Sequence, residues 1–242
     1  LGGEDFYIPS SSGLVIQAGE VNVYGADNGI LLDGLLRADG ANSIIDMDGG
    51  AGIDNYIEYS ASGNATIEIE NDAQLTVGSQ IRRGTSSAEG ILKYTQTGGT
   101  VIVGKNAAPE GNRGTFEVIN NGSEFTHTGG TLTIVNPQTS PTVASVILEP
   151  STSDVGNATL QLGNDDTPGG STLTLKSKVE LGNLTVSGTN GPTAQLLDRS
   201  LVLNRDLTIG TGSTFDGTGS FNLTVNRHIN NSGTADLNVD TL

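Results

Sequence analysis

The string Gly49-Gly50-Ala51-Gly52-Ile53-Asp54-Asn55-Tyr56-Ile57 fits a calcium-binding nonapeptide at every specified position, with Tyr56 as its large apolar residue. The chemistry would be that of a hard cation, held by carboxylates and by the carbonyls of glycine turns. The candidate ligands are Asp46, Asp48, Gly50, Gly52 and Asp54, and the candidate cofactor is Ca2+. Such a site needs ligands from a second turn. The preceding Asp39-Gly40-Ala41-Asn42-Ser43-Ile44-Ile45-Asp46 is only a degenerate copy, without the double glycine or the Asp at its proper place, which favours a plain glycine-rich turn over the cation site. Charge adds to the cation argument, because residues 1–72 carry 13 Asp and Glu against one base, Arg37. Most of the formal net charge of −16 therefore lies in that stretch, as a cation site or as a solvated acidic face.

Other chemistry is thinly represented. His127 and His228 are the only histidines, neither stands in metal-ligand spacing, and both are expected on exposed strands or turns. Asp165-Asp166 resembles the adjacent carboxylates of β-helical polysaccharide hydrolases, yet Asn164-Asp165-Asp166-Thr167-Pro168-Gly169-Gly170 also reads as a turn. No nucleophile elbow, phosphate loop or dinucleotide fingerprint occurs, so no catalytic residue is assigned and an enzyme is not expected. Sugar platforms need aromatic rings. Tyr56, Tyr59 and Tyr94 are candidates to line a surface, and Phe116, Phe125, Phe215 and Phe221 are expected to stack in the core.

The elements that would carry these residues are short strands. Apolar-x-apolar triplets recur along the chain, as in Val21-Asn22-Val23, Ile67-Glu68-Ile69, Leu75-Thr76-Val77, Leu132-Thr133-Ile134, Leu184-Thr185-Val186, Leu207-Thr208-Ile209 and Leu223-Thr224-Val225. Period-two alternation of this kind marks half-buried strands. Turn pairs such as Asn28-Gly29, Asp48-Gly49 and Asn121-Gly122 fill the gaps, and the 35 glycines penalise helix interiors. The chain is therefore all-β. Thr97-Gly98-Gly99-Thr100-Val101-Ile102-Val103 returns as Thr128-Gly129-Gly130-Thr131-Leu132-Thr133-Ile134, an offset of 31, while later triplets recur at 23 (Leu184 to Leu207) and 16 (Leu207 to Leu223). Degenerate repetition on this scale favours a solenoid of stacked coils, a parallel β-helix, over the alternative of β-sandwich repeats. The expected organisation is an acidic N-terminal β segment over 1–72, with β-helix coils continuing over 73–242.

Tyr94 through Gly104 (YTQTGGTVIVG) and His127 through Val135 (HTGGTLTIV) resemble passages of right-handed parallel β-helices in large bacterial surface adhesins and autotransporter passenger domains. The C-terminal third, around Leu184, Leu207 and Phe221, is similar to giant cell-surface adhesins of the Bacteroidetes. The resemblance spans roughly residues 60 to 242 and implies an exported bacterial protein at the cell surface or outside the cell. Its partners would be host or surface glycans, proteins, or neighbouring domains of the same large protein. Two rivals remain: a pectate-lyase-like polysaccharide lyase or hydrolase on the same fold, and a self-assembling surface-layer or filament subunit.

Composition narrows the partners further. The acidic balance and the lack of a basic cluster beyond Arg82-Arg83 argue against nucleic acid, and no apolar run approaches the roughly 18 residues of a spanning helix, so membrane insertion is not expected. Absence of cysteine excludes disulfides and thiolate metal sites. A start at Leu1 without a signal-peptide pattern suggests a mature region or an excised piece.

Overall fold

The computed structural model describes residues 5–25, 28–59, 63–85 and 89–237, and among them there is no helix. Strands follow one another in a repeating order of three, each strand pairing in parallel with its counterpart one coil away. The first coil holds β1 (Phe6–Ile8), β2 (Gly13–Ile16) and β3 (Gly19–Asn22), and the second β4 (Ile30–Leu32), β5 (Leu35–Asp39) and β6 (Ser43–Met47). The third holds β7 (Ile57–Tyr59), β8 (Asn64–Glu70) and β9 (Gln74–Val77). In the fourth, β10 (Ile81–Arg83) precedes the long bent β11 (Ile91–Val103), and in the fifth β12 (Phe116–Val118) precedes the similar β13 (Glu124–Ile134). The sixth comprises β14 (Val146–Leu148), β15 (Thr152–Val155) and β16 (Thr159–Leu162), and the seventh β17 (Thr172–Ser177) and β18 (Asn183–Val186). The eighth has β19 (Thr193–Leu196), β20 (Leu201–Leu203) and β21 (Leu207–Ile209); the ninth has β22 (Thr214–Gly217), β23 (Leu223–Val225) and β24 (Ile229–Asn231). A tenth coil begins with β25 (Thr234–Leu237).

This is a parallel β-helix with three ladders. The first runs unbroken through ten strands, from β1 to β25. The second passes through β2, β5, β8, the first half of β11, the first half of β13, and β15, then resumes with the bridge Leu181↔Leu203 and the pair β20 and β23. The third runs from β3 through β6, β9, the second halves of β11 and β13, β16, β18 and β21 to β24. Along the third ladder one apolar column reads Val21, Ile45, Leu75, Val101, Leu132, Leu160, Leu184, Leu207, Ile229.

The alternation seen in sequence explains the core. In β8 the pattern is buried at Ala65, Ile67 and Ile69 and half-buried between them, and the same parity recurs in β5, β6, β16 and β18. One continuous apolar core extends from Ile8 to Phe215. Each fully buried Leu, Ile or Val there contributes roughly 1.5–3 kcal/mol. The offset of 31 is one coil, since Thr100 pairs Thr131 and Val101 pairs Leu132. The offset of 23 is also one coil, Leu184 on Leu207. The offset of 16 is not: Leu207 pairs Ile229 whereas Leu223 pairs Leu201, so that interval crosses from the third ladder to the second.

Two groups of aromatic and ionisable residues lie elsewhere than their chemistry suggests. Tyr59 and Tyr94 are fully buried rather than surface-lining, because Ile57 and Leu92 set the inward parity of their strands. Tyr94 stacks on Phe125 at 5.7 Å and meets Phe116 edge-on at 5.1 Å, and its hydroxyl donates to Gln96 Oε1 at 2.7 Å. His127 is likewise internal, two residues after Phe125 on the same side of β13, whereas His228 is exposed. Phe215 joins the core and Phe221 is only partly buried against it.

Candidate functional site

Coils differ in length mainly at one corner, where the chain leaves the third ladder and returns to the first. That corner is short at residues 78–80, 187–192 and 210–213, and long at 48–56, 104–115, 135–145 and 163–171. The long segments stack on one edge of the helix. Loops added to a solenoid in this way commonly form its binding face. The nonapeptide belongs to this edge, joining β6 to β7.

Its glycines serve the turn. Gly49, Gly50 and Gly52 have φ of +64°, +99° and +79°, a region costly for any side chain. The aspartates hold the backbone: Asp46 Oδ1 accepts from the Asp48 amide at 2.9 Å, and Asp48 Oδ1 accepts from the Gly50 amide at 3.0 Å. The Asp54 carbonyl accepts from Ser79 Oγ at 2.7 Å, and Asn55 Nδ2 donates to the Val23 carbonyl at 3.0 Å. From the 104–115 loop, Asn106 Nδ2 reaches across the short third coil to the Asp48 side chain, and also to the Asp48 carbonyl at 2.5 Å. Lys105 Nζ binds Asp166 Oδ2 at 2.7 Å. That hydrogen bond raises the Lys105 pKa against the opposing effect of burial, with further help from the charges of Asp166, Asp48 and Asp46. An ammonium of the chain itself thus serves this acidic corner. Among the described residues no group of three or more His, Cys, Asp or Glu gathers in a metal-holding arrangement.

Asp165 and Asp166 turn to separate partners. Asp165 Oδ1 accepts from the Thr189 amide at 3.0 Å, while Asp166 pairs with Lys105 and its amide donates to Asn164 Oδ1 at 2.9 Å. They tie the 163–171 loop to its neighbours above and below.

Farther along, the edge folds over the first ladder. The 104–115 loop covers β10 and β12, so the sequence pair Arg82-Arg83 is nearly buried. Glu117 is fully buried; its Oε1 accepts from the Arg83 amide at 2.8 Å and from Arg83 Nε at 2.9 Å, and its Oε2 accepts from the Gly114 amide at 3.2 Å. Arg113 Nη1 donates to the carbonyls of Arg83 and Gly84 at 2.9 and 2.8 Å and contacts Glu58 at 3.4 Å. Arg82 lies 4.0 Å from the Tyr56 ring centroid, and the Tyr56 hydroxyl donates to Asp5 Oδ1 at 3.2 Å. Of the three tyrosines expected at a surface, Tyr56 alone stands on the outer side. Ala144 of the 135–145 loop packs with Ile119 and Ile147 in a second small apolar cluster. Gln80 and Gln138 fasten these loops through the carbonyls of Gly114 at 2.9 Å and Gly111 at 3.1 Å.

Sequence reading missed this edge and its residues Lys105, Asn106, Glu110 and Arg113. The available signal was spacing: Val77 to Ile81 is short, whereas Val103 to Phe116 and Ile134 to Val146 are long. Compared with known proteins, the chain matches no family model, no curated protein and no solved structure.

Proposed function

We propose that the chain is a structural and adhesive segment of a large bacterial cell-surface or secreted protein, a β-helical rod that carries attachment along its loop-bearing edge. One observation carries this reading: loops 48–56, 104–115, 135–145 and 163–171 emerge at the same corner of the second, fourth, fifth and sixth coils, fixed to each other by Lys105, Asn106, Gln80 and Gln138. A rigid spine with aligned loops suits many weak contacts made together, in which avidity exceeds the affinity of any one. The partners would be glycans or proteins of a host or surface. Catalysis is not part of the proposal, and Ca2+ is not required by it.

Beads coated with the chain test the reading against arrayed glycans and extracellular-matrix glycoproteins. Saturable attachment is expected, weakened several-fold by Glu110→Ala combined with Asp166→Ala, both on exposed side chains. Absence of attachment to any arrayed surface would overturn it, and turnover of an arrayed polysaccharide would replace it with the lyase or hydrolase reading.

A further inference from the structure

The seventh coil cuts a corner that its neighbours round more widely. Between the first and third ladders it spends only residues 178–182, where the sixth coil has 149–158 and the eighth has 197–206. Those two coils use the extra length for β15 and β20, whereas the seventh crosses with a single bridge, Leu181↔Leu203. Beside this shortcut, where the chain leaves the first ladder, a cavity of about 470 Å³ spans the fifth to the eighth coils. Its volume falls within the roughly 300–1,000 Å³ of small-ligand sites.

The lining is cationic in a chain where acids outnumber bases 27 to 11: it carries Lys178 and Arg199 against one carboxylate, Glu149. Glu149 is already engaged. Its Oε1 lies 3.0 Å from Arg199 Nη2, accepts from Arg199 Nε at 3.1 Å, and has Lys176 Nζ at 3.7 Å. Lys178 is exposed, its Nζ donates to the Pro150 carbonyl at 3.4 Å, and among the described residues no carboxylate pairs with it. An anion from outside the chain would complete this charge arrangement. The rest of the wall suits a polyhydroxylated molecule. Ser151 Oγ accepts from the Gly122 amide at 2.7 Å and donates to Asn121 Oδ1 at 3.0 Å, which leaves Asn121 Nδ2 as a donor. Ile119, packed with Ile147, adds an apolar strip.

We propose that this groove binds an acidic sugar. Arg199 and Lys178 hold its carboxylate or sulfate, the first through planar paired donors and the second as a movable point charge, while Asn121 and Ser151 meet its hydroxyls. The groove lies at a different corner from the loop-bearing edge, so the inference stands whether or not that edge is adhesive.

Fluorescence anisotropy of two labelled probes, an oligogalacturonate and a sulfated oligosaccharide of equal length, tests it, with a neutral dextran oligosaccharide as control. Saturable binding of an acidic probe is expected, weakening as salt is raised. The preferred probe distinguishes carboxylate from sulfate. Lys178→Ala and Arg199→Ala, both on exposed side chains, should each weaken binding about tenfold with the melting temperature unchanged. Glu149→Gln should tighten binding several-fold by releasing Arg199 and Lys176. Arg227→Ala removes the same charge from another corner, where it pairs with Asp206, and should leave binding unaltered. Absence of saturable binding by both acidic probes overturns the proposal, as does equal binding of the neutral control or affinity that neither groove substitution reduces.

Discussion

His127 lies inside β13 between Gln96 and Val155 of the adjacent coils, and its Nε2 has no hydrogen-bond partner. Burial lowers its pKa from 6.5 to about 4. The unfolded chain takes up a proton near pH 6.5, and the native chain does so only near pH 4. Between those values the unfolded state binds more protons, so stability falls as pH falls, and below about pH 4 the loss is complete. It amounts to roughly 3 kcal/mol. His127→Leu is expected to flatten the pH dependence of urea-derived stability between pH 6.5 and 4; an unchanged slope would refute the assignment. Asp46 and Asp48 allow a second residue-level prediction. Their carboxylates already accept backbone amides, and Lys105 provides positive charge nearby. The melting temperature should accordingly be the same in millimolar calcium and in chelator. A rise with calcium concentration would establish a cation bound by the folded state.

Strand β13 bends at Thr128-Gly129-Gly130, where the second ladder passes into the third. Gly130 has φ +77°, and a Cβ there would lie 2.4 Å from the carbonyl oxygens of both Gly98 and Gly99 in the coil below. Neither backbone oxygen can move without disturbing its own ladder. Gly130→Ala should therefore cost at least about 2 kcal/mol, read as a lower urea midpoint. Gly169→Ala is the control, since a Cβ there meets nothing within 4 Å and it should leave the midpoint unchanged. This corner was legible in the sequence: strand parity and glycine turns are local, and the TGGT repeat spaced the coils correctly through Thr100 and Thr131. Other features depend on contacts distant along the chain. Tyr94 and His127 carry polar groups that suggest the surface, and only the phase set by Leu92 and Phe125 puts them inside. A long gap between triplets reveals an insertion, but only closure of the coils places 104–115 and 163–171 on one edge, with Lys105 facing Asp166 across 61 positions of sequence.

Ten strands in the first ladder, spaced about 4.8 Å apart, give a stack about 43 Å long between β1 and β25. A stack of this kind is close to one-dimensional, because each coil is held chiefly by its neighbours, and a terminal coil has only one. The apolar residues mark the same gradient. Tyr94, Phe116 and Phe125 are fully buried in the middle coils, whereas Leu14, Val21, Leu223 and Leu237 are only partly buried at the ends. Local opening should therefore be easiest at the termini. In dilute solution, amide hydrogen exchange is expected to be fastest in β1 to β3 and β23 to β25 and slowest from β8 to β13. Uniform exchange along the whole chain would instead mean that the coils open as a single cooperative unit rather than from their less buried ends.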